Sequence, residues 1–332
     1  MSEHPAAVKK ILTGCGLAAL AGILYCGAAR AQSRLLYLEA QAVAGYSPNT
    51  GKIVYYSMNE NDAMQRPSLG ADFVGKLSGG NGDWGTLALQ PRIAWNGGPQ
   101  FQLYNGYLRA RTPFCYLWAG HNRTAVGLES YFDTHGALLQ TLPMYGFGFD
   151  RDWGIGASRD FGWGGAAFSA TTGSGMPFYM KDSYLVSARV SLGALGRDNY
   201  NAGVYFSGGR TPDITGYHAS DLTPMPYGFL GADFAYLVDN FDFRADLRKG
   251  EKQGRAAYAA LGRIGAGFAE EGRLKLELQP VFYLSGGESG CDIAAGASYA
   301  VSPELTLRSL YERSTMPDDS RLTFQMYYYV KI

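Results

Sequence analysis

The chain has 332 residues, 46% hydrophobic and only 17% charged, with 29 basic and 29 acidic side chains and therefore no net charge. That balance excludes a general nucleic-acid partner, which would need a basic excess. Past residue 31 no apolar run reaches the roughly 18 residues that a spanning helix needs, so the hydrophobicity is dispersed along the chain, in company with 45 glycines and 24 tyrosines.

The first predicted element is a leader, residues 1–31. Lys9 and Lys10 precede an apolar run from Ile11 to Ala29, and Ala29-Arg30-Ala31 offers small residues one and three positions before a cut. This is the pattern of a secretory signal peptide cleaved after Ala31; a retained anchor is the other reading of the same run. Taking Lys9, Lys10, Arg30 and Glu3 from the totals leaves 26 basic and 28 acidic side chains on 32–332. Cys15 and Cys26 leave with the leader. Cys115 and Cys291 are then too few for a disulfide framework, and both read as small apolar wall residues.

From Arg34 onward, segments with a period of two follow one another, sending alternate side chains to opposite faces of a strand. Strands are expected near 34–45, 68–78, 84–95, 100–111, 114–121, 151–160, 164–173 and 183–193. The series continues near 200–209, 227–238, 241–249, 256–267, 274–286, 291–301, 304–314 and 322–332. In the clearest of them Phe241, Phe243, Ala245 and Leu247 share one face, while Asp242, Arg244, Asp246 and Arg248 share the other. Four charges in a dry core would each need a partner; facing water they cost little. The last stretch repeats the rule, with Leu322, Phe324, Met326 and Tyr328 against Thr323, Gln325 and Tyr327. Pro91 and Pro280 each remove a ladder donor from an otherwise regular strand.

Oil on one face and water on the other predicts an all-β fold, a transmembrane antiparallel β-barrel of about sixteen strands, an even number as in single-chain bacterial barrels. Every second connection is short, while 46–67, 122–150, 174–182 and 210–226 are long and fall on the other end. The stretch 97–114 fits least well, and a misreading there would make the count fourteen. A barrel of this kind belongs in the bacterial outer membrane, surrounded by its lipid.

Thr112-Pro113-Phe114 at the end of one strand, a long loop, and then Arg151-Asp152-Trp153-Gly154 opening the next resemble the phosphate-selective porin O and P family. The resemblance covers about residues 84–210. It implies a sixteen-stranded pore, a homotrimer, and a third outer loop, here 122–150, folded inward as a constriction. Cys115 stands where glycine usually follows Pro-Phe, and a lysine-rich anion ladder is absent.

The same region carries the candidate pore lining. Arg92, Arg109, Arg111, Arg123, Arg151 and Arg159 lie close in sequence, with His121, Asp133 and His135 among them. Fixed charges at a narrowing set ion selectivity, and guanidiniums match carboxylate and phosphate geometry. The alternative is that these arginines pair with Glu129, Asp133, Asp150, Asp152 and Asp160 and merely hold the loop to the wall. No metal spacing involves His121 or His135, no nucleophile elbow surrounds Ser130, and no cofactor motif occurs, so neither an enzyme nor a cofactor is expected. Two functions remain. One is a channel for passive diffusion of small hydrophilic solutes or ions, with anion preference. The other is a barrel sheath around a partner such as a multihaem cytochrome; the chain itself has no CxxCH.

Overall fold

The two-residue rhythm becomes a closed wall. The computed structural model describes residues 34–57, 65–80, 82–95, 97–132, 137–316 and 318–332; the leader lies outside them, as do Asp133 and His135. In chain order the strands are β1 (Arg34–Ser47), β2 (Lys52–Val54), β3 (Ser68–Gly79), β4 (Gly82–Trp95), β5 (Pro99–Arg111) and β6 (Tyr116–Arg123). Next come β7 (Arg151–Phe161), β8 (Gly164–Thr171), β9 (Tyr184–Leu192), β10 (Tyr200–Thr215), β11 (His218–Val238) and β12 (Phe241–Lys252). β13 (Arg255–Phe268), β14 (Leu274–Ser285), β15 (Glu288–Ala300), β16 (Leu305–Thr315) and β17 (Asp318–Lys331) complete the series. Sequence neighbours pair antiparallel, and β1 pairs with both β17 and β3, so the sheet closes without an edge. The three-residue β2 folds back on the end of β1 and takes no part in the wall, which leaves sixteen spanning strands.

The faces follow the expected rows. In β12, Phe241 and Leu247 are exposed while Asp242, Asp246 and Arg248 are buried. In β17, Leu322, Phe324, Met326 and Tyr328 point outward and Thr323 and Gln325 inward. Exposed aromatics form two girdles on the outward surface. Trp84, Trp163, Tyr236, Tyr299 and Tyr328 mark the short-turn end; Tyr46, Trp95, Tyr184, Tyr258 and Tyr311 mark the long-connection end. Trp118 is buried instead, and the backbone N–H of Ile332 donates to Leu36 at 2.9 Å, tying the last residue to the first strand.

Two details differ from the expectation, while the sixteen-strand reading of 97–114 stands. β4 ends at Trp95 and β5 begins at Pro99, so a very short connection does serve the long-connection end and the count stays at sixteen. The stretch 210–226 is not a loop: β10 and β11 run on past the wall to a two-residue turn at Gly216-Tyr217. Cys115 belongs to a turn, where the Thr112 hydroxyl donates to its carbonyl at 2.7 Å, while Cys291 does sit in the wall on β15.

Pro91 is absorbed by a bulge. Gln90 pairs with Asn105 but Pro91 pairs with Leu103, leaving Tyr104 as an extra residue on β5. The exposed backbone of the bulge finds a partner far away. The Tyr217 hydroxyl, at the tip of the β10–β11 hairpin, accepts from Leu103 N–H at 2.8 Å and donates to Leu103 C=O at 3.0 Å.

Candidate functional site

The interior is organised by the connection 124–150, which leaves the end of β6, crosses the barrel and returns to β7. Most of its described residues are buried, with Leu128, Leu142 and Phe147 each 2% exposed or less. Its landing place is an apolar patch on the inner wall made by Tyr227, Phe229, Ala257, Ala259, Leu261 and Val281. These residues come from β11, β13 and β14, where small or apolar side chains occupy the inward row as well as the outward one. Further along, Leu138 and Leu139 pack on Ala294 and Leu310 of β15 and β16. The Leu142–Tyr145 turn of helix has Pro143 in its first turn, and Gly146, with φ 81°, ends it.

Arginines of the inner wall clasp the loop. Arg248 of β12 reaches Glu129 at 3.0 Å and Asp246 at 2.6 Å, and also donates to the Phe147 carbonyl. Arg263 and Gln279 both donate to the Gln140 carbonyl, at 3.1 and 3.0 Å. Tyr131 donates to Asp233 at 3.2 Å, whose other partner is Arg189, and Arg244 lies 3.7 Å over the Phe132 ring. Buried charges of this kind persist only when paired and hydrogen-bonded. Glu129 shares one guanidinium with Asp246; burial, reinforced by Asp246 and opposed by Arg248, pushes its pKa up to about 8.

Two chambers flank the loop. The one toward the long-connection end measures about 420 Å³ and meets the loop at Met144, Tyr145 and Gly146. Its charged lining is Asp292, Glu312 and Asp319 with Lys252 and Arg321. The other chamber, about 400 Å³, meets the loop at Thr124 and Ala125; its charged lining is Arg109, Arg123 and Asp72, among Gln90, Asn105 and Asn122. The first is richer in carboxylates, the second in guanidiniums.

The arginines expected to line a pore divide into four groups. Arg92 is buried and pairs with Glu39 of β1 at 2.9 Å; Arg151 is buried, pairs with Asp150 at 2.5 Å, donates to the Asn105 side-chain oxygen at 2.8 Å and covers the Tyr104 ring. Arg109 and Arg123 line the second chamber, while Arg111 is exposed on the final residue of β5. Arg159 is a correction. It shares the row of Ile155, which is 60% exposed on the outward surface, and it lies over Phe161, whose ring stacks on Trp163. An outward arginine at the aromatic girdle serves the bilayer interface, not a pore. His121 is fully buried against Trp153, with ring centroids 4.8 Å apart, so it does not line an open path. The clasp residues Arg189, Arg248 and Arg263 were not expected as a site, although their inward rows were readable; what gave no signal was the loop segment that meets each of them.

No known family pattern matches the chain, and no curated protein matches it in sequence. Solved structures do. It is similar to OmpF of Salmonella typhi in complex with daunomycin, at 11% identity, 90% coverage of this chain, 97% of the other and a TM-score of 0.67. An anion-selective porin of Comamonas acidovorans is similar at 13% identity, 90% and 99% coverage and a TM-score of 0.62. A porin mutant of Rhodopseudomonas blastica is similar at 11% identity, 90% and 100% coverage and a TM-score of 0.59. At such identities the likeness establishes the fold: a sixteen-stranded outer-membrane barrel of porin type. The cytochrome-sheath expectation finds no support, since the interior a protein guest would need is crossed by the chain's own loop.

Proposed function

We propose that the protein is an outer-membrane channel through which small hydrophilic solutes or ions diffuse passively. The observation that carries this reading is the buried loop 124–150, clasped across a closed barrel with a polar chamber on each of its faces. Apolar outward rows meet lipid, the loop narrows the interior, and charges beside the narrowing discriminate among solutes. Anion preference comes from Arg109 and Arg123 in the second chamber and is opposed by the carboxylates of the first, so net selectivity is weak. Any finer preference for phosphate, as the resemblance to phosphate-selective porins implies, draws on the same two guanidiniums. The working unit is a homotrimer, again by resemblance. Purified protein in planar bilayers tests the proposal. It should give ohmic single-channel steps without any partner protein, and a correctly assembled barrel that never conducts would overturn it.

A further inference from the structure

A wide depression lies on the outward surface of the barrel, not in its interior. It occupies about 880 Å³ across β11–β15, inside the range of about 300–1,000 Å³ typical of small-molecule sites. Its origin is readable in the outward rows. β13 presents Ala260 there, paired with Leu247 on one side and Phe282 on the other, and the next outward residue, Tyr258, closes one end between Lys249 and Leu284. Leu230 of β11, 66% exposed, forms the far bank. A small residue between tall ones leaves a trench along the wall.

One end of the trench is polar. Lys249 follows Leu247 on the outward row of β12, pairs across the sheet with Tyr258, and holds its ammonium 5.6 Å over that ring. Tyr258 belongs to the girdle at the long-connection end, so Lys249 stands at headgroup height. Ser289 and Thr315 border the same end; the Thr315 hydroxyl accepts from Cys291 N–H at 2.8 Å. The neighbouring outward arginine, Arg313, is engaged with Asp318.

We propose that this trench binds one acyl chain of a phosphorylated lipid of the outer leaflet, with the phosphate on Lys249. The site follows from the barrel fold and is independent of whether the interior conducts. A trench in a wall that faces hydrocarbon fills with chain, because an empty one forfeits the dispersion contacts of its lining. The cation at headgroup level then selects among lipids by charge.

Native mass spectrometry of the full-length protein in mild detergent provides the test, with lipid A and enzymatically dephosphorylated lipid A as probes. Wild-type protein should retain one lipid A per chain, about tenfold more than the dephosphorylated form. Lys249→Gln should abolish that preference while keeping both lipids at the lower level, and Ala260→Phe, which fills the trench, should lose both. Equal retention of the two lipids by wild type, or full retention by Ala260→Phe, would overturn the proposal. So would an Ala260→Phe protein whose copy number changes while its lipid content does not, since the trench would then be a contact between copies. If Ala260→Phe fails to assemble, Lys249→Gln, a change at an exposed side chain, decides the matter alone.

Discussion

Replacing Arg248 with methionine should free the inner loop from the wall. The guanidinium donates to both oxygens of Glu129 at 3.0 and 3.1 Å, to Asp246 at 2.6 Å and to the Phe147 carbonyl. The side chains of Arg248, Glu129 and Asp246 are 1% exposed or less, so water does not screen the loss. Removing one partner of a buried pair costs about 3–5 kcal/mol. The lower end applies, because Glu129, with its pKa pushed up to about 8, can keep a proton near neutral pH and leave only Asp246 charged. About 3 kcal/mol is roughly a hundredfold in the ratio of released to clasped loop. Single-channel recording should show a larger and noisier conductance, and limited proteolysis should cut within 124–150 in the variant but not in the wild type. The double variant Arg248→Met with Asp246→Asn should recover part of the loss. Unchanged conductance and unchanged protection in Arg248→Met would refute the clasp.

Other outcomes follow from the same geometry. Glu129 titrates above its ordinary 4.5, so its neutral form favours the clasped loop: that contribution is complete below 4.5 and lost as the pH rises through about 8. Conductance noise should therefore increase between pH 7 and 9 in the wild type and stay flat in Glu129→Gln. Gly127 has φ 48°, and a Cβ there would stand 2.5 Å from Asp246 Oδ2, so Gly127→Ala should cost at least about 1–2 kcal/mol and mimic the Arg248 variant in proteolysis. Arg109→Ala should lower the anion-to-cation permeability ratio measured by reversal potential in a salt gradient, and Arg111→Ala, at the exposed end of β5, should change it little. Neutralising Asp292 and Glu312 together, as Asn and Gln, should reduce the difference between currents at opposite voltages, because it removes the carboxylate excess of one chamber.

The wall was legible because lipid imposes one rule on every spanning strand. From β1 to β17 each outward row had to be apolar, and in a barrel the other row is free to be polar, so a period of two sufficed. Where no lipid presses on the strand, the rule lapses. Residues 210–226 carry Thr211, Pro212, Asp213, Asp221 and Pro224 and no apolar row, yet they form a hairpin, held by its own ladder beyond the membrane. The apolar landing patch was hidden for the opposite reason: in Ala256–Leu261 both rows are small or apolar, so alternation vanishes. Arg159 and Asp160 are adjacent and so face opposite ways, and Ile155 and Phe161 fix Arg159 to the outward row.

The interior pairings were illegible for a different reason, and it bears on selectivity. Glu129 and Arg248 are 119 residues apart, and nothing local marks one as the other's partner. Counting arginines in the sequence therefore overstates the positive field of the lumen. Arg92 is matched by Glu39, Arg151 by Asp150, Arg189 by Asp233, and Arg248 by Asp246. A guanidinium bound to a carboxylate within a few ångströms presents a passing ion with a dipole, whose field falls faster with distance than that of a charge. Charge discrimination is then left to the side chains that line the chambers rather than to the more numerous ones that fasten the loop. A variant that breaks a fastening pair should alter the size of the passage, and a variant in a chamber should alter which ions prefer it.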